Sequence, residues 1–278
     1  MQPCSCIEFY SSDPVTVVRD VLEAGHLQFM RRWCRLRMNV PVWAIYAELG
    51  RLPLHYFWWR EVIRFWNQIV GLPEGNVWRD IMLDNIAGQD SRRKNWSGQV
   101  KAFLSGIGYS SDALQLGRID SDEVLQCLLR RYDTVWDSLG RFPRVVTSQV
   151  TLTTYYRWMR CGEWLDRPGY LFLRLGHRQT YTFVRFKLGC HHLAIVTGRW
   201  HGVARADRLC QRCGAGALDD ERHLVFECSV FEDLRRTHSQ LFGSEVAFDM
   251  RRFFAHTDQR AVVMYILGCL SLIEHAHG

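Results

Sequence analysis

Apolar side chains recur along this chain every three or four positions, with no sustained alternation of period two, so the pattern predicts helices almost throughout. From Val15 to Arg37 apolar and basic residues mix at helical spacing, and Asp13-Pro14 makes an N-cap and first-turn pair. A second helix runs from Val42 to Leu49 and stops at Gly50. The next starts at Pro53, carries Leu54, Trp58, Val62, Phe65 and Ile69 as one apolar stripe, and ends at Gly71-Leu-Pro73. Its flanks, with Tyr56, Phe57, Trp59 and Trp66, are also aromatic, which predicts burial on most sides. Shorter helices are expected at 77–87, 95–106, 121–137 and 148–160, separated by Gly, Ser and Asp clusters. Two segments, Thr151 to Tyr156 and Tyr181 to Phe186, have a composition that also suits short strands.

The stretch Leu171 to Leu188 carries a sharper pattern. On a helix, Arg174, Arg178, Tyr181 and Arg185 share a narrow arc, and Phe172, Leu175, Phe183 and Phe186 lie opposite. One face packs, and the other offers three guanidiniums and a ring, as a surface that tracks phosphates and stacks a base would. Gly176 is the point at which this helix could break, which would drop Arg174 from the set.

Composition changes the picture in two ways. With 278 residues and 47% hydrophobic content the chain can bury a sizeable core, and its 11 Trp are read first as packing residues. The net charge of +6 is concentrated in one place. Residues 1–143 hold 17 Lys/Arg against 16 Asp/Glu, 144–212 hold 12 against 3, and the remainder holds 6 against 10. Eleven of the twelve cations in the middle stretch are Arg, whose planar fork suits bidentate phosphate contact. The residues expected to meet nucleic acid are Arg157, Arg160, Arg174, Arg178, Tyr181, Arg185, Lys187, Arg199, Trp200, Arg205, Arg208 and Arg212. The corresponding organisation is an aromatic-rich helical domain at 1–143, a basic helical segment at 144–205, a zinc knuckle at 206–232 and C-terminal helices at 233–278.

The metal motif is Cys210-x2-Cys213-x9-His223-x4-Cys228. Two cysteines separated by two residues can bind one ion from a tight turn, and Gly214 and Gly216 give the backbone freedom to make it. Three sulfurs and one imidazole complete a closed tetrahedral shell, so the expected cofactor is one structural Zn2+ with no position left for water. Asp219, Asp220 and Glu221 are expected to charge the first turn of the helix carrying His223, rather than to hold catalytic magnesium. Met1 to Tyr10 lacks a basic start and an apolar core, so no secretory leader is expected, and Cys4, Cys6, Cys34, Cys127, Cys161, Cys190 and Cys269 read as reduced thiols in an intracellular setting. The longest apolar run, Ala261 to Ile273, is too short for a bilayer. No catalytic constellation is apparent: there is no Gly-x-Ser-x-Gly, phosphate loop or Ser/His/Asp set.

Several words of the sequence carry a family resemblance. Phe186-Lys-Leu-Gly, His192-Leu-Ala-Ile-Val-Thr-Gly-Arg-Trp, Arg208-Leu-Cys-Gln-Arg-Cys-Gly and Glu221-Arg-His-Leu-Val-Phe-Glu-Cys-Ser-Val-Phe resemble the C-terminal segment of non-LTR (LINE-type) retrotransposon polyproteins, which follows the reverse transcriptase and ends in a zinc knuckle. Ala47-Glu-Leu-Gly-Arg-Leu-Pro-Leu, Arg64-Phe-Trp-Asn and Asn95-Trp-Ser-Gly-Gln-Val are similar to the helical region after the polymerase palm of such elements. The resemblance covers residues 20 to 240 and implies a mainly α, multi-helix fold that grips template RNA or target DNA, in the nucleus. It assigns the metal ligands to Cys210, Cys213, His223 and Cys228. The fingers and palm of an RNA-directed DNA polymerase are absent from this sequence, so the expectation is a nucleic-acid-binding fragment whose polymerase domain is supplied by another chain. The alternative from another class is a zinc-stabilised protein-interaction scaffold that binds no nucleic acid.

Overall fold

A computed structural model describes residues 21–87, 95–109, 118–141, 154–160, 166–243 and 248–275. The expected Asp13-Pro14 cap, Arg144, Cys4, Cys6, Cys161 and residues 148–153 of the expected 148–160 helix lie outside these residues. Among the described residues the fold is mainly helical and has no strand, only one isolated bridge between Leu209 and Leu218. No helix there is long and apolar enough to cross a membrane.

The helices are α1 (Val21–Trp33), α2 (Val42–Leu49), α3 (Leu54–Val70), α4 (Val77–Ala87), α5 (Trp96–Gly106), α6 (Ser121–Arg141), α7 (His177–Lys187), α8 (Ala194–Trp200), α9 (Glu232–Thr237), α10 (Met250–Phe254) and α11 (Gln259–His275). They belong to two compact units. The first takes residues 1–28 and 52–138, and the second takes 29–51 and 139–278, so α1 passes from one to the other. The three segments read separately from sequence as 144–205, 206–232 and 233–278 all fall within the second unit.

In the first unit the buried face of α3 is not the stripe its periodicity suggested. His55, Trp59, Ile63, Trp66 and Val70 point inward, whereas Leu54 and Phe65 are 38% and 53% exposed. Both stripes are apolar, and the inner one wins because it carries the larger rings and the polar atoms that find partners. Trp59 stacks on Phe103 of α5. Its indole N–H donates to His55 Nε2 at 2.9 Å, which leaves Nδ1 as the protonated nitrogen facing the Tyr132 hydroxyl of α6, 2.9 Å away. The loop into α6 is latched by Asn67, whose amide donates to Ile119 O at 2.8 Å and accepts from Ile119 N at 2.7 Å. Asn95 caps α5 by accepting from Gly98 N at 2.8 Å.

In the second unit α7 and α11 pack together, with Phe183, Phe186, Tyr265, Ile266 and Cys269 buried. The 181–186 segment is helical, so the strand alternative is wrong there: Gly176 opens the helix, its amide held by Gln179 Oε1 at 2.9 Å. Residues Gly169–Phe172 form a separate 3-10 turn, which leaves Arg174 outside α7.

Candidate metal centre and basic groove

The metal cluster is built from two short local structures. Leu209 and Leu218 pair across a small hairpin, with Cys210 N donating to Ala217 O at 2.8 Å and Asp219 N to Arg208 O at 2.9 Å. Its tip reverses through Gly214 and Gly216 at φ of 65° and 64°, a region where a Cβ is strained. This presents Cys210 and Cys213 together. The other pair comes from a π turn, His223–Glu227, in which Cys228 N donates to His223 O at 2.8 Å. In an α-helix, residues five apart lie on different faces; the wider turn brings His223 and Cys228 to the same side.

The four ligand atoms lie within 4.8 Å of one another. Cys210 Sγ is 4.0 Å from Cys228 Sγ, and Cys213 Sγ is 3.4 Å from His223 Nε2. A tetrahedron with metal–sulfur bonds of about 2.3 Å and a metal–nitrogen bond of about 2.0 Å has edges of roughly 3.8 and 3.5 Å. The group can therefore hold a metal ion. His223 Nδ1 faces Glu227 Oε2 at 3.4 Å, an outer carboxylate that aims Nε2 at the centre. The Ala215 amide, as the leading cause, lowers the Cys213 thiol to about 7, whereas burial pushes the Cys228 thiol up to about 12.

The acidic run before His223 divides its work. Asp220 Oδ1 accepts from His223 N at 2.9 Å, as a first-turn acid would. Asp219 instead pairs with Arg212 and accepts from Ala194 N at 2.7 Å, capping α8. Glu221 is buried 3.0 Å from His191 Nε2. Burial alone would raise its carboxyl; the His191 hydrogen bond and charge outweigh that and leave it below its ordinary value. The cluster thus braces residues 191–195.

Those residues continue into a groove of about 910 Å3 whose lining includes Arg35, Arg178, Tyr181, Arg185, His192 and Glu274. Three of the four residues on the predicted arc, Arg178, Tyr181 and Arg185, meet there. Tyr181 is not a free stacking ring: it is 8% exposed, with the Arg35 guanidinium 4.6 Å from its centroid. Lys187 is not a phosphate ligand either, because it is buried against Glu48 at 2.9 Å. Arg208 donates to Val203 O and Ile195 O, and Arg212 is held by Asp219, so both serve the fold. Arg157, Arg174, Arg178 and Arg205 are exposed, Arg160 and Arg199 are half-buried, and Trp200 is 49% exposed with Arg37 3.9 Å from its ring centroid.

Local periodicity did not single out Arg35 and His192, which line the groove, or Arg37, which covers Trp200. The run Arg31-Arg32-Trp33-Cys34-Arg35-Leu36-Arg37 was visible, but the near-neutral balance of residues 1–143 hid it. Arg35 sits at φ 51° just past α1, a left-handed position where glycine is usual. Like charges crowd here. Burial and then Arg185 lower Arg37, and burial followed by Arg208, Arg205 and Arg37 lowers Arg199.

Comparison with protein-family models, with curated proteins and with solved structures finds no match.

Proposed function

We propose that this chain is a nucleic-acid-binding module in which one structural Zn2+, held by Cys210, Cys213, His223 and Cys228 as a knuckle, keeps a basic groove in shape. The observation that carries the reading is the groove itself. Arg35, Arg178, Arg185 and His192 line it against a single carboxylate, Glu274. Guanidiniums gathered with so little compensating charge repel one another, and a polyanion relieves that repulsion. Zinc is favoured because three sulfurs and an imidazole suit a soft tetrahedral site and leave no open position. The resemblance to the C-terminal part of LINE-type reverse transcriptases agrees with this reading and supplies its particulars. It suggests RNA or target DNA as ligand, a polymerase domain on another chain and a nuclear setting, with no catalysis by this chain.

The test is binding of single-stranded RNA and DNA oligonucleotides by zinc-loaded protein across a salt series. Each phosphate contact on a single strand contributes roughly −0.7 to the log–log slope, so three contacts give a slope of about −2. Arg178→Glu, at an exposed position, should weaken binding with zinc content unchanged. A salt-independent affinity sinks the proposal.

The scaffold reading rests on a different observation, the exposed Val77, Trp78 and Ile81 of α4, at 67%, 66% and 54%. Contiguous apolar exposure of this kind marks a protein contact. Capture of a protein partner that survives Arg178→Glu and fails with Trp78→Ala would favour it.

A further inference from the structure

The groove is not evenly charged along α7. At Arg178 the charge has an answer, since Nη2 lies 3.9 Å from Glu274 Oε2, the one carboxylate in the lining. Two turns further on, about 10 Å along the helix axis, Arg185 has none of that kind. One of its nitrogens, Nη2, donates to Cys190 O at 3.1 Å, which fixes the guanidinium against the groove wall. Its Nε is buried and has no hydrogen-bond partner among the described residues. A buried donor without a partner is costly unless a ligand or water supplies the acceptor.

The groups around this point are all cationic or neutral except one. His192, at the rim, is influenced by Arg185 from α7, Arg37 from the turn after α1, His191 from its own loop and Glu274 from α11. Only Glu274 favours the charged ring, and its influence is the weakest of the four.

We infer that Arg185 and His192, which line the groove together, form a subsite for one phosphodiester of a single-stranded nucleic acid, and that His192 takes up a proton from solvent as the phosphate arrives. The inference rests on the nucleic-acid reading above and adds a named contact and a pH dependence to it. Without an anion, partial desolvation and then Arg185 and Arg37 hold the imidazole below its usual value, hence neutral near pH 7. A phosphate on the Arg185 guanidinium reverses the local field, so the ring gains a proton and becomes a further donor. The phosphodiester itself stays singly charged, and one proton enters per subsite filled. Because the free value lies below 6.5 and the bound value lies higher, affinity is greatest at acid pH and falls as pH rises between the two values. Above the bound value it is constant.

Oligo(dT) is the probe, because thymine does not titrate in this range, at a length of about 15 nucleotides, within the span of single-strand sites. Its affinity for the full, zinc-loaded chain is measured from about pH 5.5 to about pH 8 at constant ionic strength, for the wild type and for His192→Gln. For a rise of one unit in the His192 value on binding, the wild type binds about tenfold more tightly at the acid end. His192→Gln abolishes that difference, leaving an affinity that does not change across the pH range. Proton NMR of the histidine rings gives a second readout: one resonance, missing in the variant, shifts its midpoint upward when oligo(dT) is added. Salt-sensitive binding whose pH slope is the same in His192→Gln overturns the subsite while leaving the nucleic-acid reading in place. Absence of binding at every pH overturns both.

Discussion

The two units solve the same problem, unpaired backbone groups in loops between helices, with different side chains. In the first unit amides do it: Asn67 latches Ile119, and Asn95 donates to Asn85 O at 2.8 Å while capping α5. The arginines of α3 stay outside, where Arg60 and Arg64 pair with the exposed Glu61. In the second unit guanidiniums take over. Arg31 donates to Arg37 O and Val40 O, Arg185 to Cys190 O, Arg208 to Val203 O and Ile195 O, Arg235 to Cys228 O and Arg251 to Arg157 O. A basic stretch is therefore not the same thing as a basic surface. Part of the arginine excess stands in for the backbone ladder that a sheet would have provided, and Arg185 does so while also lining the groove.

That contrast makes metal removal the most damaging experiment. Structural zinc in small domains contributes apparent energies on the order of 10 kcal/mol at neutral pH. Stripping the ion with a strong chelator, or Cys228→Ser, should unfold the cluster and loosen residues 191–195, while the first unit keeps its transition. Differential scanning calorimetry should then show one transition lost or lowered and one unmoved, and simultaneous collapse of both would break the comparison. Trp59→Ala is the reverse experiment. It empties a stacked, fully buried site and should cost about 3–5 kcal/mol, lowering the first transition with metal content unchanged.

Arg208→Ala comes next in size. Its stem lies 2.7 Å from where a Cβ on Gly198 would sit, so the chain has been shaped around it. Loss of its bonds to two carbonyls should cost about 1–3 kcal/mol, read by urea denaturation of the second unit, and Arg208→Lys should not restore it because one ammonium cannot match the fork. An unchanged midpoint would remove Arg208 from the structural group and return it to the residues expected to meet nucleic acid. Arg35→Gly tests the opposite class. Glycine relieves the left-handed backbone and should leave stability equal or higher, by up to about 1 kcal/mol, while oligonucleotide binding weakens.

The smallest effect is a pH dependence in the first unit. Glu23 accepts from Leu54 N at 2.7 Å and His55 N at 3.4 Å, capping α3 from another helix. Burial, as the largest cause, raises its carboxyl above the usual 4.5 despite His26 and the two amides. A raised folded value means its contribution is full below about 4.5 and is lost as pH climbs through the folded value. Glu23→Gln should therefore gain on the wild type between acid and neutral pH, in paired denaturant melts. A constant difference across that range would show that Glu23 titrates as it does unfolded.

Much of this was legible before the fold was known. The bounds of α2 and α4 and, to within one residue, those of α5 follow from local periodicity. The candidate ligands were legible because close Cys and His spacings leave few ways to reach one ion. What misled was α3, since an aromatic helix gives two credible stripes and only the partners Phe103 and Tyr132 choose between them. Tyr181 and Lys187 misled for a similar reason: a helical wheel shows direction along α7 but not that Arg35 and Glu48, more than a hundred positions earlier, cover them.

By itself the sequence determined the helical class and the residues able to hold a metal, because both depend on neighbours within one or two turns of chain. Tertiary structure decided which arginines are consumed by carbonyls and which are left to face a ligand. That division depends on which backbone groups remain unpaired once distant segments have packed, and no local pattern encodes it.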